Sequence, residues 1–157
     1  DYKQQCIKEI YKIGDKQSLQ TNVKAIMSSY FIWEETNILN PLINKTLEVI
    51  ANNSELEKGW SLRLANCWSA IYKKGQYTLP HKHIPSQISF VYYLQAKDNS
   101  SPLIFDGSDF NIQPHDDLLV IFPSYLKHSV PPQIEDEDRI CLAGNITFGT
   151  ENGDDLI

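Results

Sequence analysis

Nowhere in this 157-residue sequence does an apolar run approach the ~20 residues that a membrane-spanning helix needs. No basic-then-apolar leader opens it either, so the expectation is a cytoplasmic protein with no membrane partner. Positive charge is short as well. Lys and Arg number 14 against 20 Asp and Glu, giving a net charge of −6, and the cations are dispersed without a patch. That balance argues against a nucleic-acid backbone as a partner, since such binding rests on clustered cations. Cysteine is scarce: Cys6, Cys67 and Cys141 are odd in number and lack C-x-x-C spacing. They read as free thiols in a reducing compartment rather than as a disulfide framework. Internal repeats, low-complexity segments and linkers are missing too, which leaves one domain as the expectation over residues 1–157.

What is present is enough to build a core. The hydrophobic fraction is 41%, with three Trp, eight Tyr and six Phe, which argues against disorder. Residues 1–58 read as helical. Tyr2, Cys6, Ile10 and Ile13, joined by Ile7 and Tyr11, recur at three and four residues and stop at Gly14. Leu19, Val23, Ile26, Met27 and Tyr30 repeat the spacing after Asp15 or Ser18, which predicts a second helix. Asn40-Pro41 opens a third that runs towards Asn53, with Asn as cap and Pro in the first turn. After Gly59 the pattern alternates. Strands are predicted at Trp60 to Tyr72, Gln87 to Leu94, Leu103 to Phe105, Leu118 to Phe122 and Arg139 to Phe148. Turn-forming residues separate them. The core is therefore placed at 60–148, with a tail at 149–157. The fold class is α+β, mainly β, with N-terminal helices packed on one side of an antiparallel sandwich or small barrel.

The densest chemistry is at Pro80-His81-Lys82-His83-Ile84-Pro85, which holds two of the four histidines. In extended backbone, residues i and i+2 share a face, so His81 and His83 form a two-ligand clip. A metal needs at least one more donor, from His115, His128 or an acidic residue. His128 lies between a predicted strand and the Pro131-Pro132 break, where a distant strand can close a site in an antiparallel barrel. Arg139 opens the next strand and offers a bidentate fork to a carboxylate held beside a metal. His115, beside two aspartates, reads as a surface residue.

The ordered set Asn66-x-Trp68, Gly75, His81-x-His83, Ser89, Tyr92-Tyr93-Leu94, Leu103-x-Phe105-Asp106, Phe122-Pro123-Ser124, Leu126-x-His128-x-Val130-x-Pro132, Asp138-Arg139-Ile140 and Asn145 resembles small 2-oxoglutarate and Fe(II)-dependent oxygenases of bacteria and phages, relatives of the prolyl-hydroxylase type. The resemblance covers Trp60 to Phe148. It implies a double-stranded β-helix, a jelly-roll or cupin-like barrel whose mouth holds Fe(II) and 2-oxoglutarate. It makes His81, His83 and His128 the metal ligands and Arg139 the anchor of the distal carboxylate of 2-oxoglutarate, with Asn66, Tyr77 and Ser89 as further hydrogen-bonding groups. It also implies hydroxylation of a small-molecule or peptide substrate by O2, a peptidyl and even prolyl target being favoured, in a bacterial or phage-infected cell. Three departures stand out. A histidine replaces the carboxylate usual in such sites, unless Asp106 supplies it. Ser89-Phe90 replaces Ser-Gly and should crowd the pocket floor. Pro114-His115-Asp116-Asp117 replaces Pro-x-x-Gly, which Asp allows because it tolerates positive φ. A cupin-like metal enzyme independent of 2-oxoglutarate, or a non-catalytic jelly-roll module, are the alternative readings. The loops at Lys73 to Leu79, Ala96 to Pro102 and Gly107 to Gln113 are the expected rim of the mouth.

Overall fold

The computed structural model describes residues 1–17, 20–55 and 59–150. Helix α1 (Tyr2–Ile13) starts where the Asp1 carboxylate accepts from Lys3 N at 3.0 Å and ends at Gly14, whose φ is 66°. Cys6, Ile7, Ile10 and Ile13 form its buried stripe. Helix α2 (Asn40–Asn52) buries Ile43, Thr46 and Ile50. Leu39, not Asn40, takes its cap position, and Pro41 sits in the first turn as expected.

The second predicted helix is not formed. Ser18 and Leu19 lie outside the described residues, and the remainder makes two short strands, β1 (Val23–Lys24) and β2 (Ile26–Met27). Val23, Ala25 and Met27 are all buried, which is a period of two rather than 3.6. Pairing supplies the reason: Val23 lies opposite Thr78 and Ile26 opposite Ile71, so each strand completes the edge of a different sheet. Tertiary pairing outweighs a local periodicity that fits both states.

The remaining strands are β3 (Trp60–Tyr72), β4 (Tyr77–His81), β5 (Ile88–Gln95), β6 (Leu103–Phe105), β7 (Asn111–Ile112), β8 (Leu119–Pro123), β9 (His128–Val130) and β10 (Arg139–Thr150). They form two five-stranded antiparallel sheets, β1-β4-β9-β6-β7 and β2-β3-β10-β5-β8, the antiparallel sandwich that the alternating pattern predicts, in the jelly-roll arrangement that the resemblance implies. The long pair β3 and β10 is the spine of the second sheet. Its two faces part the core. Ile71, Phe90, Leu94, Ile140, Leu142 and Ile146 pack under the helices, while Trp68, Ala70, Tyr72, Tyr93, Cys141 and Ala143 face the other sheet. That alternation directs polar residues of the same parity, Asn66, Ser89, Arg139 and Asn145, towards the space between the sheets.

Two predicted details resolve here. Asp117 does take positive φ, 64°, at the turn before β8. Phe90 joins the core under the helices, and its bulk is received opposite Gly144, where an added Cβ would lie 2.7 Å from the Phe90 ring. A glycine across the ladder thus offsets the crowding expected at the pocket floor. Register shifts occur at Thr78/His81, Ile140/Cys141 and Asn145/Ile146, so all three irregularities in the ladders lie next to the polar interior. Such bulges re-aim side chains that a regular pleat would send elsewhere.

Candidate metal centre and the cavity beside it

His81 ends β4 and lies directly opposite His128 of β9, whose other neighbour is Phe105 of β6. His83 lies two residues beyond His81, held by its backbone N–H donating to Ser124 O at 2.9 Å. The ring centroids stand 4.4 Å apart for His81 and His128, 4.6 Å for His81 and His83, and 5.0 Å for His83 and His128. One ligand atom from each lies within 4.8 Å of the others, and this is the group of metal-binding type found among the described residues. Trp68 walls the group on one side, 5.7 Å from the His83 ring, and Phe122 on another, 4.9 Å from His128.

The local hydrogen bonds fix tautomers. His81 Nδ1 lies 2.7 Å from Leu79 O, and His128 Nδ1 lies 2.9 Å from Leu126 O. A carbonyl only accepts, so both Nδ1 atoms carry the proton and both Nε2 lone pairs point inward. His81 Nε2 lies 3.2 Å from His83 Nε2, so His83 is the donor in that contact. A metal would take over this lone-pair cluster once His83 moved its proton to Nδ1. Burial pushes the His83 imidazole down to about 3, helped by His81 and His128, and pushes His128 down to about 4, while His81 is also lowered by burial. All three rings are therefore neutral near pH 7, the state in which imidazole binds a metal.

Below the imidazoles a cavity of about 40 Å³ runs between the sheets, lined by Tyr72, Thr78, Tyr93, Leu103, Val130 and Arg139 among others. Arg139 is 1% exposed. Its guanidinium lies 4.6 Å from the Tyr72 ring centre and 4.9 Å from that of Tyr93, and Nη2 donates to Tyr93 Oη at 3.2 Å. Nε and Nη1 are buried with no hydrogen-bond partner in standard geometry among the described residues. Two unsatisfied N–H donors on a buried cation cost several kcal/mol by the usual desolvation scale, roughly 1–3 for each group and more when charged. Two N–H donors side by side on a guanidinium match the geometry of a carboxylate's two oxygens.

The other predicted residues are distributed around this centre. Ser89 is buried, bonded at 2.8 Å to both Ser124 Oγ and Asn145 Oδ1. Asn66 accepts from Asn145 Nδ2 at 2.8 Å and lines an open groove rather than the Arg139 cavity. Tyr77 is placed differently from the expectation: it is 37% exposed, and the inward position belongs to its neighbour Thr78, which meets Tyr72 Oη at 2.6 Å. Asp106 stays outside the imidazole group, its carboxylate 3.1 Å from Lys127 Nζ, and it acts on His128 only through its charge. His115 is exposed, as expected. Tyr72 and Thr78 are the cavity residues that sequence reading missed. The signal was there for Tyr72, which shares the parity of Trp68 and pairs with Arg139.

Comparison with known proteins bears on this geometry. Residues 105–145 match the family model described as "Putative 2OG-Fe(II) oxygenase", a span that holds His128, Arg139 and Asn145 and leaves His81 and His83 outside. The match covers about a quarter of the chain, its C-terminal strands, and makes that part similar to the 2OG-Fe(II) oxygenases. No curated protein matches the sequence. Among solved structures, this chain resembles the viral collagen prolyl hydroxylase of Paramecium bursaria Chlorella virus 1 in its 2OG complex. The two share 15% identity at a TM-score of 0.66, over 92% of this chain and 88% of that one. It also resembles a Trichoplax adhaerens prolyl hydroxylase in complex with a hypoxia-inducible-factor peptide fragment, at 14% identity and TM-score 0.69, over 93% and 78% of the two chains. A third neighbour is the non-heme alpha-ketoglutarate-dependent epimerase of nogalamycin biosynthesis, at 12% identity and TM-score 0.72, over 93% and 73%. At such identities these likenesses show the fold, and two different reactions on that fold leave the substrate to be argued from the site. Among the described residues of the chain, no helix is long and apolar enough to cross a membrane.

Proposed function

We propose that the Nε2 atoms of His81, His83 and His128 hold Fe(II), that Arg139 anchors the distal carboxylate of 2-oxoglutarate, and that the enzyme hydroxylates a peptidyl substrate. The observation that carries the reading is the pairing of two incomplete groups in one cavity: three neutral imidazoles converging without a metal-compatible alternative partner, and a buried guanidinium with two unused donors. Imidazole suits iron, and a facial set of three ligands leaves coordination positions open. A neutral three-His set brings no negative charge, so 2-oxoglutarate itself supplies the anions that balance the metal. When bound, the metal supplies the redox chemistry by which O2 converts 2-oxoglutarate to succinate and CO2 while a substrate C–H becomes C–OH.

The chain's own residues do the rest. Leu79 O and Leu126 O hold the His81 and His128 rings by their Nδ1 protons and keep both Nε2 lone pairs available. Tyr72 and Tyr93 sandwich the guanidinium, and the Tyr93 hydroxyl accepts from it, so the fork is oriented before the cosubstrate arrives. Leu103, Val130 and Phe122 keep the cavity wall apolar, which excludes water from the buried end and strengthens each charged contact there. The peptidyl preference draws on the prolyl hydroxylases among the structural neighbours.

Anaerobic titration tests the reading. Fe(II) followed by 2-oxoglutarate should produce a weak visible metal-to-ligand charge-transfer band, and admission of air should yield succinate. Iron binding with neither band nor succinate would move the protein to the cupin-like alternative that does not use 2-oxoglutarate. No metal binding at all would leave a non-catalytic module.

A further inference from the structure

The Arg139 cavity is one of two spaces that meet at the imidazoles. Val23, Trp68, His81 and His83 line both it and a groove of about 290 Å³ on the solvent side. Tyr30, Lys82 and Ile84 on the groove's rim are exposed, so this space opens outward, whereas the Arg139 cavity ends at a guanidinium that is 1% exposed. Its wall is built by the segment 21–30, which the sequence places in a helix, and by the turn 82–86. Tyr30 and Trp68 make an edge-to-face pair at 5.5 Å, giving the groove a rigid aromatic side.

The polar side of the groove is prearranged. Ser89 Oγ donates to Asn145 Oδ1, and Asn145 Nδ2 donates to Asn66 Oδ1, each at 2.8 Å. Asn145 is 4% exposed and has its carbonyl and amino ends both engaged, which sets its orientation. Asn66 must then offer its carbonyl inward and its Nδ2 towards the groove. Among the described residues Asn66 Nδ2 has no hydrogen-bond partner, and it is not sealed from solvent. The register shift between Asn145 and Ile146 falls at the Asn66–Asn145 pair and aims both side chains to this point. Charge adds a second constraint. In a chain with 20 acidic residues no carboxylate among the described residues lines the groove, while Lys82 stands at its rim, also without an ion-pair partner among them.

We propose that this groove seats the substrate to be oxidised, that Asn66 Nδ2 positions it by donating to a backbone carbonyl oxygen, and that the substrate is a peptide segment that is neutral or acidic, not basic. The inference rests on the imidazole group being the metal site, since His81 and His83, which would hold the metal, also line the groove. Asn66 is a positioning donor for the substrate, and Asn145 with Ser89 holds it in place. Asn66 is thereby moved from the cosubstrate to the substrate side of the centre.

The test uses the protein loaded with Zn(II), as a diamagnetic stand-in for iron, and 2-oxoglutarate. N-acetylproline methylamide is titrated while the Asn66 side-chain amide and Trp68 indole signals are followed by NMR. Saturable shifts at both groups are expected, with affinity weakened at least about tenfold in Asn66→Asp, which keeps the acceptor for Asn145 but replaces the donor. Asn66→Ala, which adds no charge, should show the same loss, with 2-oxoglutarate affinity held within about twofold in both variants. No saturable shift at Asn66 up to ~50 mM probe, or wild-type affinity in both variants, overturns the proposal. So does a fall in 2-oxoglutarate affinity in Asn66→Ala, which would return Asn66 to the cosubstrate cavity. If Zn(II) leaves the histidine signals untouched while the probe still titrates Asn66, the metal reading fails and the groove stands.

Discussion

Arg139→Met removes the guanidinium and keeps an unbranched stem between the rings of Tyr72 and Tyr93. In the absence of cosubstrate the wild-type protein carries a fully buried cation with Nε and Nη1 unpaired, against which stand one hydrogen bond to Tyr93 and two ring contacts. Stacking on two desolvated rings and one charged hydrogen bond contribute about 2 kcal/mol each. Two unmet N–H groups and the ion's desolvation cost a similar amount or more. The two sides nearly cancel, so apo Arg139→Met should match the wild type to within about 1 kcal/mol, or ~2–4 °C in Tm for a chain of this size. With 2-oxoglutarate at 100 times its Kd, the wild type should gain about 2.7 kcal/mol, roughly 5–11 °C, and the variant essentially nothing. Differential scanning fluorimetry with and without 2-oxoglutarate reads both. A large Tm loss in the apo variant would show that Arg139 is held for the fold. An undiminished ligand shift would show that the carboxylate binds elsewhere.

Other expected outcomes follow from individual contacts. Arg139→Lys keeps the charge but loses the fork, so the Kd for 2-oxoglutarate should rise by roughly 10- to 150-fold with iron binding unchanged, as read by calorimetry. His83→Asp should retain one bound metal ion per chain by metal analysis, because a carboxylate on that side restores an ordinary oxygenase donor set; loss of the metal would show that imidazole is required there. Gly144→Ala places a methyl 2.7 Å from the Phe90 ring and 2.8 Å from Asn66 O and should cost about 1–3 kcal/mol. Phe90→Leu in the same chain should recover part of that loss, and strictly additive denaturation midpoints would refute the contact. Asn145→Ala strips Ser89 and Asn66 of their buried partner and should cost about 1–3 kcal/mol in urea unfolding while leaving the histidine signals in place.

Much of the fold was legible because the long elements carry strong local signals. Helix α1 reads from a stripe with Gly14 as its stop, β3 from its alternation up to Lys73-Lys74-Gly75, and Asp117 from its tolerance of positive φ. The failures share a cause. β1, β2, β4 and β9 are two to five residues long and owe their existence to partners far along the chain, such as Val23 to Thr78 and His81 to His128. No local window contains those partners. The imidazoles and Arg139 were legible as residues of distinctive chemistry, and the structure brings all four to one cavity. Thr78, not Tyr77, faces inward, and the register shift between Thr78 and His81 that sets this parity has no signal in the local sequence. The groove beside the centre was invisible for the same reason that the second helix was wrong: its wall is the segment that pairs with two sheets.

Anomalous diffraction at the iron edge, from crystals grown anaerobically with Fe(II) and 2-oxoglutarate, tests the site most directly. The expected result is one iron peak within about 2.2 Å of the Nε2 atoms of His81, His83 and His128, with a cosubstrate carboxylate on Arg139. An iron peak coordinated by Asp106, or a carboxylate bound away from Arg139, would contradict it.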